Sequence, residues 1–210
     1  MGASAKPPGP EIFFAERRCE MKTATDTALL LIDMQKGMAG AGLPPRNQPQ
    51  AEGNMELLLN FWRENRLPVV HVCHMSRTPS SVFWPGQVGV EFQERLAPLP
   101  HELVVEKNIT CAFTASGLER WLCVHGIATV VLVGVSTNFS VEASARTASQ
   151  LGFKTLVVAD ATFAFDMQDL SGEVLSAQQV HAMSLCNLHH EYASVVGTQQ
   201  LLLTLADDQG

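Results

Sequence analysis

Six stretches of the chain set its architecture. Thr27-Ala-Leu-Leu-Leu-Ile-Asp33, Leu67-Pro-Val-Val-His-Val-Cys-His74, Ala128-Thr-Val-Val-Leu-Val-Gly134 and Phe153-Lys-Thr-Leu-Val-Val-Ala159 are apolar without alternation. Such runs read as strands buried on both faces. Glu102–Glu106 and Ser194–Gly197 read as shorter strands of the same kind. Between them, apolar residues recur at helical spacing: Met55, Leu58, Leu59 and Trp62 within 52–65, and Leu118, Trp121 and Leu122 within 114–125. Helices are also predicted over 138–151, over 176–192 with Val180, Met183, Ser184, Asn187 and Leu188 inward, and over 198–205. His181, His189 and His190 then fall at the surface or an interface. Gly126 and Gly152 close helices. Residues 40–50, 77–89 and 161–172, rich in Gly, Pro or Asp, read as loops. Strand and helix alternate about five times, which predicts a parallel α/β sheet with helices on both faces.

Composition narrows the function. The 210 residues suit one domain over 23–210, preceded by a Pro/Gly-rich extension over 1–22 expected to be flexible. A net charge of −7 argues against a nucleic-acid partner. No apolar run reaches the roughly 18 residues of a membrane span, and the start lacks the apolar core of a secretory signal. Five unpatterned cysteines read as reduced thiols, so a cytoplasmic location is expected. His71, Cys73 and His74 crowd one strand, but alternation separates them, so no metal site is expected there.

Three strand ends carry chemistry. Asp33 closes the first strand, Lys107 follows the third, and Ser140 stands where the central strand breaks at Gly134 and feeds a helix. Ligands of open parallel sheets bind at the carboxyl ends of strands. A hydroxyl beside the free N–H groups of a helix start sits next to an oxyanion site. An acid, a cation and a hydroxyl there make up the elements of nucleophilic catalysis.

Ala28-Leu-Leu-Leu-Ile-Asp33-Met-Gln35, Val104-Val-Glu-Lys107 with Ala112-Phe113, Gly134-Val-Ser-Thr137-Asn-Phe-Ser140-Val141 and Val158-Ala-Asp160-Ala resemble the isochorismatase-like cysteine hydrolases in order and spacing. That family includes nicotinamidases, ureidoacrylate and biuret hydrolases, and isochorismatases. The resemblance implies a three-layer α/β/α sandwich around a six-stranded parallel sheet. It also implies Asp33 as general base and Lys107 as the group that orients and polarises the site. A non-proline cis peptide is implied at Val135–Ser136, with the Ser136 and Ser140 N–H groups as the oxyanion hole. Met38, Trp84, Phe113, Asn138 and Phe139 are the substrate-pocket candidates. A small-molecule substrate, no cofactor and a homo-oligomer (dimer or tetramer) complete what it implies. The apolar residues from Val195 to Leu205 are the expected interface.

The departure from the family is at position 140, where its nucleophilic cysteine is matched by serine. A hydroxyl is much less acidic than a thiol, so slow amide turnover is expected. Three readings of Ser140 stand open: an inactivated form of a cysteine enzyme, a site used without a thiol, or a working serine nucleophile. Cys111, four residues past Lys107, is better read as a buried apolar residue than as a relocated thiol. Met38 stands where many relatives have an aromatic residue. Met34 to Val70 contains no histidine, which speaks against a metal and against nicotinamide as substrate. The expected activity is hydrolysis of a small amide or ureido compound. Thiol-independent vinyl-ether hydrolysis and non-catalytic binding are the alternatives.

Overall fold

The computed structural model describes residues 26–40 and 42–207. The extension expected over 1–22 lies outside the described residues. In chain order the elements are β1 (Thr27–Ile32), α1 (Ala51–Glu64), β2 (Val69–His74), β3 (Leu103–Lys107), α2 (Leu118–Val124), β4 (Thr129–Val135), α3 (Glu142–Gln150), β5 (Lys154–Phe163), β6 (Met167–Gln168), β7 (Val174–Leu175), α4 (Ala177–Glu191), β8 (Ser194–Val196) and α5 (Thr198–Asp207). Six strands form one sheet in the order β3-β2-β1-β4-β5-β8, every pair parallel. β6 and β7 form a small antiparallel hairpin beside it.

Strand alternation makes the three layers. Leu29, Leu31, Val131 and Val133 point to one face, where Met55, Leu58, Leu59 and Trp62 of α1 and Leu201 and Leu205 of α5 cover them. Leu30, Ile32, Val130 and Leu132 point to the other, under Leu118 and Leu122 of α2, Ala145 and Ala148 of α3, and Leu188 of α4. The unbroken apolar runs are thus explained, since a strand coated by helices on both sides has no polar face to show. Strand order reverses between β1 and β4, which opens a crevice at their carboxyl ends.

Four expectations change. The helix expected over 114–125 starts only at Leu118: Ala115 is left-handed (φ 55°) and the Ser116 hydroxyl accepts the Leu118 N–H. β5 runs on to Phe163 instead of ending at Ala159. Its register with β4 jumps from Leu132–Val157 to Gly134–Thr162, and Asp160, in the bulge, caps α5 by accepting from Thr198 N and Oγ1. On α4 the inward face is Ala177, His181, Ser184 and Leu188, so His181 is buried whereas Met183 and Asn187 are exposed. Last, within the stretch from Val195 to Leu205, Leu201 and Leu205 are spent inside the core, while Leu203 is exposed and Val195, Val196 and Leu202 are half-buried.

At the other end of the sheet, the Glu102 side chain, 3 % exposed, is surrounded by donors: Arg63 Nε and Nη2, the Leu99 N–H and His71 Nε2. Those partners hold its carboxyl down at about 2 in spite of burial. Burial, first among the causes, lowers the His71 imidazole. A depressed carboxyl contributes stability above its unfolded value of 4.5 that is lost as pH falls towards about 2. The lowered His71 adds a loss that begins as pH falls through 6.5. Glu102→Gln should flatten the acid limb of a urea-unfolding profile below pH 4.5. An unchanged limb would contradict the assignment.

Candidate active site

The crevice gathers all three strand-end groups. Asp33 leaves β1 in the left-handed region (φ 54°), its N–H held by the Val72 carbonyl at 2.9 Å. Lys107 ends β3, two strands away, and its side chain crosses the end of β2 to reach Asp33. Its Nζ donates to Asp33 Oδ2 at 2.7 Å and to Ser140 Oγ at 3.2 Å. All three residues are buried, Ser140 being 7 % exposed. Burial raises the Asp33 carboxyl above its usual 3.8, with Lys107 and then the Ser140 hydroxyl pulling the other way. Asp33 Oδ1 is buried without a hydrogen-bond partner. A buried ion pair that leaves one oxygen unsatisfied is costly to build, and such groups cluster where chemistry is done.

Ser140 lies on a π-helical turn, Thr137–Val141, that joins β4 to α3. The Val141 N–H reaches back to the Ser136 carbonyl at 3.2 Å, the wide closure that recurs at functional sites. The Val135–Ser136 peptide is cis, as the motif implied. α4 holds this turn from behind. His181 Nδ1 pairs with Thr137 Oγ1 at 2.8 Å, and Ser184 Oγ lies 3.1 Å from the Thr137 carbonyl and 2.5 Å from Glu142 Oε2. Burial keeps the His181 imidazole below its ordinary 6.5. Sequence reading missed this support; the signal was the spacing of Ala177, His181, Ser184 and Leu188, which makes a narrower inward stripe than the residues chosen.

The pocket candidates divide. Asn138 is half-buried and occupied, accepting from Ser136 Oγ at 2.6 Å and donating to Met167 Sδ at 3.0 Å. Met38 and Trp84 are half-buried; Met38 also packs against the core on the α1 side. Phe139, next to Ser140, is 50 % exposed. Phe113 is buried on the α2 side, its ring 6.1 Å from that of Phe153. Cys111 is buried there too, its Sγ donating to Thr147 Oγ1 at 3.2 Å.

Gln35, wholly buried, organises the mouth. Its amide accepts from the His74 N–H at 2.7 Å and donates to the carbonyls of His74 and Val90, both at 3.0 Å. One side chain thereby continues the β1–β2 ladder and fixes the far end of the 77–89 loop. His74 sits beside Lys107 in the β2–β3 register, and burial, followed by Lys107, lowers its imidazole while Asp33 raises it. Among the described residues no group of three or more His, Cys, Asp or Glu is placed to hold a metal ion, and no helix is long and apolar enough to cross a membrane.

Comparison with known proteins agrees with this geometry. Residues 27–200 match the isochorismatase domain. The chain is 34 % identical over 175 residues to the isochorismatase family protein YrdC of Bacillus subtilis, covering 83 % of this chain and 94 % of that one. It is 36 % identical over 200 residues to the maleamate amidohydrolase of Pseudomonas putida, covering 85 % and 86 % of the two chains. An isochorismatase-family structure from Chromobacterium violaceum superposes with a TM-score of 0.84 at 43 % identity, covering 88 % of this chain and 96 % of that one.

Proposed function

This chain belongs to the isochorismatase family of hydrolases, and on that footing we propose that it hydrolyses a small amide or ureido compound at a C–N bond through an acyl-enzyme on Ser140. One observation carries the reading. A single ammonium, Lys107 Nζ, touches both the Asp33 carboxylate and the Ser140 hydroxyl in a buried crevice at the strand ends. In this reading an acid–base group and a nucleophile both lie within hydrogen-bond distance of one nitrogen. In this reading the Ser136 and Ser140 N–H groups, at the start of and within the π-helical turn, receive the oxyanion, a contribution of about 3–4 kcal/mol per donor in comparable sites. Met38, Trp84, Asn138 and Phe139 shape the pocket, and similarity to an amidohydrolase of P. putida supports an amide substrate.

The reading includes a homo-oligomer, supported by an apolar face on α4 and the β6–β7 hairpin where Leu170, Val174, Leu175 and Met183 are exposed. It also includes a single enzyme domain over 23–210 in the cytoplasm.

Ser140→Cys is the test. Ammonia release from a panel of small amides should rise by at least about tenfold, the equivalent of one pKa unit of nucleophile ionisation, with an acyl-enzyme visible by mass. No gain on any amide would count heavily against the C–N reading. A second reading, vinyl-ether hydrolysis, draws on the hydroxyl at position 140 and on the burial-raised Asp33 carboxyl, which suits an acid. Only that reading expects pyruvate when the serine protein is given isochorismate.

A further inference from the structure

One large side chain near the crevice belongs to none of the motifs that carry the family resemblance. Phe83 is half-buried in the 77–89 loop, yet it packs into neither of the two core layers. Its ring is wedged instead between the turn that follows β1 and the end of β2. On one side it stands edge-on to the His74 imidazole, with ring centres 5.9 Å apart and planes at 85°. On the other it lies so close to Gly37 that a Cβ there would be 2.5 Å from Phe83 Cε1 and 2.8 Å from Cζ. His74 pairs with Lys107 in the β2–β3 register, and its imidazole feels the charges of both Lys107 and Asp33. Phe83 is thus one ring removed from the buried ion pair.

The backbone holds the ring in that place. The Phe83 N–H donates to Ser81 Oγ at 3.1 Å, and the Phe83 carbonyl accepts from the Ser76 N–H at 2.8 Å. The loop then folds back on itself at Gly89, where a Cβ would meet the Val82 carbonyl oxygen at 2.2 Å. Two glycines therefore make the room: Gly37 seats the ring, and Gly89 lets the chain that carries it come down over the strand ends. A bulky apolar group kept out of the core and fitted this closely beside the strand-end groups has a use other than core packing. We propose that Phe83 is a specificity-determining residue, its ring closing the β1–β2 side of the crevice and limiting the size of the substrate group that lies there. The inference rests on the amide-hydrolase reading above and adds to it a preference for small substrates with a named cause.

The test compares p-nitrophenyl acetate with p-nitrophenyl hexanoate, and methyl acetate with hexyl acetate, so that the added length sits on either side of the scissile bond. In Phe83→Ala the ratio of kcat/KM for the long over the short substrate is expected to rise about tenfold or more in one of the two series, chiefly through KM. The series that responds identifies the side of the bond that faces the ring. Phe83→Leu should give an intermediate ratio. Gly37→Ala, whose methyl displaces the ring, is expected to shift the same ratio in the native chain and to leave it unchanged when combined with Phe83→Ala. A ring that merely held the loop would instead lower all four substrates alike. Thermal melts confirm that each variant is folded. Ratios unmoved in both series by Phe83→Ala and Phe83→Leu, or a Gly37→Ala effect that is the same with and without the ring, overturn the assignment and leave the amide-hydrolase reading standing. Failure of the native chain to hydrolyse any of the four esters overturns both.

Discussion

Gly134→Ala is expected to prevent the chain from reaching its native state in useful amounts. Gly134 sits in β4 with φ 118°, between Ile32 of β1 and Thr162 of β5. A Cβ built there would lie 2.1 Å from the Ile32 carbonyl oxygen and 2.8 Å from the Ile32 nitrogen. Both obstacles are backbone atoms of a central, fully buried strand, so no side chain can swing aside to make room. The positive φ adds a conformation that alanine resists. Together these place the loss above about 4 kcal/mol, in the exceptional tail of single substitutions. The measurement is soluble yield followed by the urea midpoint. A well-expressed variant with a native midpoint would mean that β1 and β4 do not approach this closely.

Lys107→Met is expected to destabilise the protein in a way that depends on pH and can be undone at a second site. The substitution leaves a buried carboxyl without its cation, a change that costs about 3–5 kcal/mol when it strands a charge. Burial already raises Asp33 above its unfolded 3.8, and Lys107 is the largest influence opposing that rise. Without Lys107 the native state therefore binds a proton that the unfolded chain releases, over a window starting at 3.8 and extending upwards. Stability then falls as pH climbs through that window, and the deficit disappears below 3.8. Asp33→Asn in the same chain removes the titrating group and should recover much of the loss. Urea unfolding of the single and double variants across pH gives the answer. A deficit indifferent to pH and untouched by the second substitution would contradict the account.

The sheet was legible in the sequence because its strands are coated on both sides. A run such as Ala28–Ile32 has only one comfortable home. The three strand-end groups were legible for a related reason: parallel strands bring their carboxyl ends to one edge, so Asp33, Lys107 and Ser140 had to face the same side. What periodicity could not give was anything settled by contacts distant in sequence. His181 looked like a surface residue because histidine usually is, and only the packing of α4 on the π-helical turn supplies its partner, Thr137. Nothing near Phe113 in the sequence signals its ring neighbour, Phe153, which lies 40 positions on. The late start of α2 depended on one left-handed residue, Ala115, for which alanine is no signal at all.

The Gln35 amide also has a consequence for how proteins of this design diverge. It pins His74 and Val90, the two roots of the long stretch that reaches over the mouth. A change of length or sequence between those pinned roots would leave the contacts of Lys107 with Asp33 and Ser140 untouched, so the outer wall and the buried trio are mechanically separate parts.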